Sequence, residues 1–344
     1  MITAKIKKYD LAFINPGQTS RGLLYNKPSW LIILQNNNNM GIGECSVIPG
    51  LNLEYNDEYP HKVHEISHQI NKGHLPALTE LDNFPSIRFG LETALIDLQQ
   101  HNKTGILFPS AFTKGQEGIS INGLIWMGTR KEMQQRISEK LAKGFKVLKI
   151  KVGALFFEEE IALLRSIRRT FHPSDLEIRL DANGAFSPEE ALVKLRKLSE
   201  FHIHSIEQPI KNGQWEAMAK ICHSSPLPVV LDEELIGIND TKTKRELLTQ
   251  LHPHYIILKP SLVGGLEKSK EWIELAEELN IGWWVTSALE SNIGLNAIAQ
   301  WVFTMKPQMV QGLGTGQVFS NNFQSPLNLK GPELFYDPRV NWAH

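Results

Sequence analysis

The stretch KVLKIKVG, residues 146–153, decides how this chain folds. Its apolar and mostly β-branched residues predict a β-strand. Lys149 and Lys151 lie two positions apart in it, so their side chains leave the same face of the strand, about 7 Å apart. Lysines can protect an exposed edge strand. The alternative is that both lysines point into a functional site, and the rest of the sequence decides between the two.

The pattern around this strand changes at about residue 118. Before it, the sequence predicts strands followed by helices, with a hairpin whose polar turn contains residues 36–39. After it, strands alternate with helices, and the predicted strands are residues 119–125, 146–152, 177–183, 204–210, 228–234, 255–261, 282–288 and 309–314. Eight strands with intervening helices predict an α/β fold of the (β/α)₈ barrel type. A doubly wound open sheet is the alternative, but no glycine-rich dinucleotide motif follows an early strand.

Two of the intervening helices carry clear start and stop signals. One helix is predicted from Arg130 to Lys143, with a glycine directly after it. Another begins after Ser187, with Pro188 at its first position and Glu190 completing a capping box.

The composition limits the classes of function. Lys and Arg number 36 and Asp and Glu 37, so no global basic field exists for nucleic acid or an anionic membrane. No apolar run reaches the roughly 18 residues of a membrane helix, and the N-terminus lacks the apolar region of a signal peptide. Cys45 and Cys222 are too few for a disulfide framework. We expect a cytoplasmic protein that binds neither nucleic acid nor membrane; its oligomeric state is left open.

Charged residues recur at the ends of five successive predicted strands. In chain order they are Lys151, Asp181, Glu207, Asp232 and Lys259, at intervals of 25 to 30 residues. Since a βα unit takes about 30 residues, each charge falls at the same point of its repeat. In a barrel that point is the C-terminal mouth, where active sites lie. A single such carboxylate is usually a helix cap or a surface charge, but five charged residues in phase indicate one site.

The order of these charges indicates a metal site. Three converging carboxylates repel one another unless a cation lies among them. Mg²⁺ favours oxygen ligands, with Mn²⁺ as an alternative ion, whereas the lack of His and Cys at these strand ends argues against zinc. Beside such a cation, a lysine with a lowered pKa becomes a usable base. The expected chemistry is removal of a proton α to a carboxylate, with the enolate stabilised by the metal.

Five motifs, KIKVG, RLDANGAF, SIEQPI, VVLDEE and ILKPSLVGG, resemble those of the enolase superfamily, in its muconate-lactonizing-enzyme-like branch. The resemblance covers nearly the whole chain. It implies a modified TIM barrel, (β/α)₇β, with an α+β capping domain. Residues 1–117 would form the capping domain and residues 118–315 the barrel, and residues 316–344 would return to the capping domain.

The same resemblance implies roles for the strand-end residues. Asp181, Glu207 and Asp232 would bind Mg²⁺. Lys151 would be the acid/base on one face of the substrate, and Lys259 would be the lysine on the opposite face.

Neighbouring residues receive supporting roles from the resemblance. Lys149 would orient the substrate carboxylate or tune the neighbouring lysine. Asn183 of the RLDANGAF motif would bind substrate. Glu233 would support the metal ligands rather than bind the metal itself.

Further stretches resemble the o-succinylbenzoate synthase family within this branch. GIGECSVIPGLN, residues 41–52, resembles that family's G-x-GE-x-S-x-x-PG segment, and TSRG, residues 19–22, falls where a mobile capping loop would carry an arginine. That residue, Arg21, could equally be an ordinary surface arginine. TSALESNIG and GLGTG resemble the last two strand ends, which places Ser287 and Gly312 near a succinyl tail. The resemblance implies Mg²⁺-dependent dehydration of a small-molecule carboxylate, 2-succinyl-6-hydroxy-2,4-cyclohexadiene-1-carboxylate, to o-succinylbenzoate, in menaquinone biosynthesis.

Two other functions compete with this interpretation. A racemase or epimerase of the same branch, acting on N-succinylamino acids or dipeptides, needs both Lys151 and Lys259, so the metal site does not discriminate. The sequence QGLGTG at the last strand lacks the acidic motif with which dipeptide epimerases hold the substrate amino group. A catalytically silent binding protein would be expected to lose a lysine or a ligand, and here all five residues are present.

Overall fold

The computed structural model describes residues 1–19, 22–37, 39–100 and 105–342. Its N-terminal part is an antiparallel sheet of three strands, β1 (Thr3–Thr19), β2 (Gly22–Asn36) and β3 (Asn39–Ser46). The predicted hairpin is confirmed, since Asn36 pairs with Asn39. Two helices follow, α1 (Tyr59–Asn71) and α2 (Pro85–Gln99).

Glycines let helix α2 pack closely on strand β3. A Cβ on Gly43 would lie 1.9 Å from the carbonyl oxygen of Gly90, and a Cβ on Gly90 would lie 2.6 Å from Sγ of Cys45. Neither position accepts a larger residue without moving backbone, so these glycines fix the approach of the helix to the sheet. The resulting core contains Trp30, Ile32 and other buried residues of both layers.

The second part of the chain alternates strands and helices. After β4 (Ile119–Ser120), seven parallel strands run in sheet order, namely β5 (Gly123–Ile125), β6 (Val147–Lys151), β7 (Glu177–Asp181), β8 (Ser205–Glu207), β9 (Val229–Leu231), β10 (Tyr255–Leu258) and β11 (Gly282–Val285). The helices are α3 (Arg130–Ala142), α4 (Phe157–Thr170), α5 (Pro188–Ser199), α6 (Trp215–Ser224), α7 (Thr241–Leu251), α8 (Pro260–Val263), α9 (Leu266–Glu278) and α10 (Asn292–Thr304). Short 3-10 helices span Leu78–Leu81 and Glu233–Leu235. The main hydrophobic core lies between these strands and helices.

Two of the eight predicted strands are interrupted in the structure, and others end earlier than predicted, since Glu233–Leu235 form a 3-10 helix and Pro260–Val263 form α8. The strand predicted at 119–125 is divided, because Ile121 donates its backbone N–H to Pro332 and Asn122 donates to Gln311. The strand predicted at 309–314 is reduced to two parallel bridges, Ile121–Gln311 and Thr286–Gly312. Glycine weakens a strand, which accounts for the short pairing there. These bridges connect the two ends of the seven-stranded sheet.

The predicted helix signals are confirmed. The first helix ends at Ala142, and Gly144 follows with a φ of +83°. The capping box at α5 is present, with the hydroxyl of Ser187 accepting from the backbone N–H of Glu190.

The C-terminal segment contacts both parts of the molecule. Strands β12 (Leu327–Lys330) and β13 (Glu333–Tyr336) form a hairpin, and β13 pairs with β4. Before the hairpin, Val318 accepts a hydrogen bond from Ile14 on β1, and Ser320 donates one to Ala12. These contacts agree with a return to the N-terminal sheet, while the division at residues 117 and 315 stays a prediction.

Two sequence-level expectations concern the whole chain. Cys45 and Cys222 are both buried and free, so no disulfide joins them. Within the described ranges, no helix combines the length and the apolar character that crossing a bilayer requires.

Candidate active site

The charged residues predicted to share one level of the barrel do so. Lys151, Asp181 and Glu207 are the last residues of β6, β7 and β8, and the strand register pairs Lys151 with Asp181 and Asp181 with Glu207. Asp232 and Lys259 directly follow β9 and β10. The three carboxylates are buried, and Asp181 is completely so.

Three lysines pair with these three carboxylates. Nζ of Lys149 lies 2.9 Å from Oδ2 of Asp181 and 2.5 Å from Oε2 of Glu207. Nζ of Lys151 lies 2.7 Å from the same Oδ2, which confirms that the two lysines leave one face of the strand. On the far side, Lys259 forms an ion pair with the carboxylate that follows β9, Asp232.

The network shifts the pKa values of its members in opposite directions. Burial alone would raise the pKa of Asp181, but Lys149 and Lys151 hold it well below its usual range. Burial and the neighbouring Asp181 charge raise the pKa of Glu207 well above its usual value. Asp181 therefore stays ionised more readily than Glu207.

Neighbouring carboxylates shift the pKa values of two lysines upward. Burial lowers the pKa of Lys149, but Asp181 and Glu207 outweigh burial and raise it. Burial likewise lowers the pKa of Lys259, yet Asp232 and other carboxylates raise it to about 12. These shifts arise from carboxylate neighbours, and the lowering expected beside a bound cation stays a prediction.

The donor set fits a hard divalent cation. It offers carboxylate oxygens from three adjacent strand ends, all withdrawn from solvent, as Mg²⁺ prefers. Oε2 of the adjacent Glu233 is buried without a hydrogen-bond partner. Across the described part of the chain, no three His, Cys, Asp or Glu side chains are arranged to share a metal ion. The ammonium of Lys149 contacts both Asp181 and Glu207, so the ligand assignment stays a prediction.

Asn183 connects the lysines to the acidic residues. Its Oδ1 accepts from Nζ of Lys151 over 2.6 Å, and its Nδ2 donates to Oε1 of Glu233 over 2.9 Å. Its backbone N–H donates to Oδ1 of Asp181 over 3.1 Å. Asn183 has a φ of +44° and Gln208, after the next strand, a φ of +40°. Such backbone strain in non-glycine residues concentrates at functional sites.

A cavity of about 110 Å³ opens at this end of the barrel. Six predicted site residues line it, namely Lys149, Lys151, Asn183, Lys259, Ser287 and Gly312. The three carboxylates contact the lysines and do not themselves line it. The remaining candidate, Arg21, lies outside the described residues.

Sequence reasoning missed part of the cavity wall. Trp126 directly follows β5. Because residues at the carboxyl ends of barrel strands lie at the active-site mouth, its position in the sequence could have indicated a place in the wall. Ile48 and Leu51 come from the segment after β3. They lie within the stretch GIGECSVIPGLN, residues 41–52, but its pattern does not indicate which side chains point at the barrel. Leu289 and Thr315 complete this wall.

The hydroxyl group of Ser287 is fully committed to protein partners. It donates to Oε2 of Glu290 over 2.6 Å and accepts from Thr315 Oγ1 over 2.7 Å and from the backbone N–H of Leu289 over 3.0 Å. A hydroxyl has one proton and two lone pairs, so none remains for a ligand in this arrangement. Ser287 thus shapes the wall through its neighbours.

Comparisons with known proteins agree with this architecture. Residues 1–98 match the family model "MenC, N-terminal domain", and residues 132–333 match "Enolase C-terminal domain-like". The o-succinylbenzoate synthase of Desulfotalea psychrophila is 44% identical, over 94% of this chain and 96% of that protein. The chain belongs to the o-succinylbenzoate synthase family of the enolase superfamily. Its structure is similar to the crystal structure of MenC from the same organism, with a TM-score of 0.87, 42% identity and coverage of 97% and 99% of the two chains.

Epimerases of the superfamily are also related. The L-Ala-D/L-amino acid epimerase of a Maribacter species is 30% identical over 49% of this chain and 47% of that protein. The structure of the L-Ala-D/L-Glu epimerase from Bacillus subtilis gives a TM-score of 0.83 at 18% identity, covering 97% and 95% of the two chains. This last similarity shows the shared fold, which is the modified barrel with a capping domain expected from the sequence.

Proposed function

We propose that the protein dehydrates 2-succinyl-6-hydroxy-2,4-cyclohexadiene-1-carboxylate to o-succinylbenzoate. The relationship to an o-succinylbenzoate synthase over almost the whole of both chains supports this reaction. The observation that carries it is that Lys151 and Lys259, from strands on different sides of the carboxylate cluster, line the same cavity. A substrate ring between them would have an ammonium or amine group on each face.

The acid/base role belongs to Lys151 in this proposal. Its Nζ is held by Asp181 and Asn183 at distances of 2.7 and 2.6 Å, so its position is fixed before substrate binds. As the neutral amine, it takes the α-hydrogen of the ring carboxylate as a proton. It then returns that proton to the hydroxide that leaves the neighbouring carbon, so that water departs and a C=C bond forms. One lysine serving both steps requires syn elimination.

The other charged groups stabilise the negative charge that develops. Mg²⁺ bound to Asp181, Glu207 and Asp232 would make the α-hydrogen more acidic by withdrawing electrons from the substrate carboxylate. Lys259 lines the cavity on the opposite side and, as an ammonium group, supplies positive charge from that face. Lys149, which pairs with Asp181 and Glu207 in this structure, lines the cavity beside them and would orient the substrate carboxylate once Mg²⁺ binds these two residues.

The apolar part of the cavity fits the rest of the substrate. Ile48, Leu51, Trp126 and Leu289 line it, together with the backbone of Gly312. A Cβ at Gly312 would lie 2.2 Å from Oγ1 of Thr286, so the glycine lets this threonine, which also lines the cavity, pack against the last strand end. We place the succinyl chain along this wall.

The test is a spectrophotometric assay with the cyclohexadiene substrate and Mg²⁺, which follows the conversion of the diene to a benzene ring. Rapid conversion that needs the protein is expected. No conversion by protein that is folded by circular dichroism would refute the proposal.

A second candidate is racemisation of N-succinylamino acids or epimerisation of dipeptides. The two lysines on one cavity favour it, because such reactions remove a proton on one face and return it on the other. Deuterium uptake at the α-carbon in D₂O, measured for both substrate classes, tests this activity. Absence of uptake would leave dehydration as the sole proposal.

A further inference from the structure

Helix α9 of the barrel is capped by a glutamate from the N-terminal part of the chain. Glu92, on α2, accepts hydrogen bonds from the backbone N–H groups of Leu266 and Glu267 over 2.7 and 2.9 Å. The helix has no side-chain cap of its own, since the residue before it is Gly265. A Cβ at Gly265 would lie 2.0 Å from Oε2 of Glu92, so the glycine makes room for the glutamate.

The capped segment begins at Lys259. The carbonyl group of Lys259 accepts the backbone N–H of Leu262 over 2.8 Å and so starts the short helix α8. This helix ends at Val263, and the carbonyl of the next residue, Gly264, accepts a hydrogen bond from the guanidinium of Arg88. Arg88 and Glu92 lie one turn apart on α2, and both side chains are buried. A short segment, α8 and the two glycines after it, therefore joins Lys259 to α9. Helix α2 contacts the end of this segment that lies next to α9.

A glutamate of strand β3 also contacts the start of helix α10, although this helix has a local cap, since Ser291 Oγ accepts from the backbone N–H of Ile293 over 3.2 Å. Glu44 accepts from the backbone N–H groups of Ser291 and Gly294, each over 3.0 Å, and from the hydroxyl of Ser291 over 2.5 Å. Ser29 of the adjacent strand donates to the same carboxylate over 2.9 Å. The residues just before Ser291 form the cavity wall at Ser287 and its neighbours.

Other barrel helices begin differently. Helices α3 and α5 are capped by boxes within their own sequence, Thr129 with Glu132 and Ser187 with Glu190. A residue next to the helix is thus enough to pair the free backbone N–H groups at the start of α3 and of α5. Unsatisfied N–H groups and the helix dipole favour a carboxylate at any of these sites. At α9 and α10 the carboxylate comes from the N-terminal part of the chain. The strand before α9 is followed by Lys259, and the strand before α10 is followed by the cavity wall at Ser287.

We propose that Glu92 and Glu44 are positioning residues, through which the N-terminal sheet and its helix set two parts of the active site. Glu92 fixes Lys259 through helix α8 and the start of α9. Glu44 fixes the wall at Ser287 through the start of α10. This inference rests on the proposed function, because it assigns the two glutamates different effects on that reaction.

The experiment compares the steady-state kinetics of Glu92→Gln and Glu44→Gln. Because Lys259 acts on the developing charge, Glu92→Gln lowers kcat by roughly 10- to 100-fold and changes KM little. Because the wall contacts the substrate tail, Glu44→Gln acts chiefly by raising KM. Glu132→Gln, which alters a local cap in the same barrel, is the matched control and leaves both constants unchanged. Equal effects of the two variants on kcat and KM, or none, would overturn the proposal.

Hydrogen exchange supplies a readout that does not depend on turnover. Glu92→Gln accelerates amide exchange at residues 262–268, and Glu44→Gln does so at residues 291–295, with the other barrel helices unchanged. If the native protein shows no turnover, the proposed function fails while this measurement still tests the positioning. Unchanged exchange at both segments would contradict it. Glu92→Asp, which keeps the charge but reaches less far, gives an intermediate kcat and serves if Glu92→Gln folds poorly.

Discussion

Asn183 holds the two sides of the active site in one orientation, because its Oδ1 accepts from Lys151 over 2.6 Å while its Nδ2 donates to Glu233 over 2.9 Å. An amide can fill both roles, whereas a carboxylate or a hydrocarbon cannot. The left-handed backbone at this position, with a φ of +44°, is tolerated better by asparagine than by most residues. Asn183 therefore directs the amine of Lys151 as well as lining the cavity.

Replacing Asn183 by Ala is expected to lower kcat by roughly 10- to 100-fold, because the amine of Lys151 loses a fixed partner. Steady-state kinetics of the dehydration measure this loss. Asn280→Ala controls for the backbone cost, since Asn280 is exposed and has a φ of +58°. If kcat fell equally in both variants, the cause would be backbone strain and not the lost hydrogen bond to Lys151.

Replacing Lys151 by Ala is expected to reduce turnover at least about 1,000-fold, because the acid and the base of the proposed reaction are the same amine. The fold should persist, since this side chain lies at the end of its strand and borders the cavity. The readouts are the dehydration assay and the circular dichroism spectrum. Retained turnover in the variant would remove Lys151 from the acid/base role.

Replacing Lys259 by Ala separates the two candidate reactions. Racemisation needs a proton donor on each face, so the variant should lose it completely. Dehydration needs only the positive charge there, and Lys259→Arg should restore part of its rate. Both activities are measured in the same preparation. If Arg fails to restore any dehydration, the charge alone does not account for the role of Lys259.

The sequence could predict the charged ring because the βα repeat places one residue of each unit at the same height. It could not predict contacts that depend on how distant segments meet. Glu92 meets the start of α9, and Glu44 meets the start of α10, far along the chain, and no local pattern encodes either pair. It also could not give the distances between ammonium and carboxylate groups that define the ion pairs of Lys149, Lys151 and Lys259.

Chelation is expected to stop turnover, with Mg²⁺ or Mn²⁺ restoring it. A ligand that binds the folded state alone also stabilises it, by about 2.7 kcal/mol at 100 times its Kd. Mg²⁺ should therefore raise Tm in the native protein, and Asp232→Asn should abolish that rise. Glu271→Gln, which removes a carboxylate on the outer helix α9, should keep it. If EDTA left turnover unchanged and Mg²⁺ left Tm unchanged, the assignment of Asp181, Glu207 and Asp232 as metal ligands would be refuted.

Asp97, on α2, makes stability depend on pH. Burial raises its pKa to about 6, although backbone N–H groups of Ile42 and Gly105 donate to its two oxygens over 2.9 and 2.7 Å. Because the pKa in the folded state exceeds the value of about 3.9 in the unfolded chain, folding favours the protonated form. This contribution is present below the unfolded pKa and is lost as pH rises through about 6.

The expected result is a pH-dependent difference between the native protein and Asp97→Asn. Between pH 4 and 7 the native protein should lose about 2 kcal/mol of unfolding free energy relative to the variant, which cannot ionise. Urea unfolding at several pH values measures the difference. Asp337→Asn is the control, because a hydrogen bond from Arg339 lowers the pKa of Asp337 to about 2 and its titration lies below this window. A difference for Asp97→Asn that stays constant from pH 4 to 7 would mean that Asp97 titrates as it does in the unfolded chain, and that its two backbone hydrogen bonds compensate for burial.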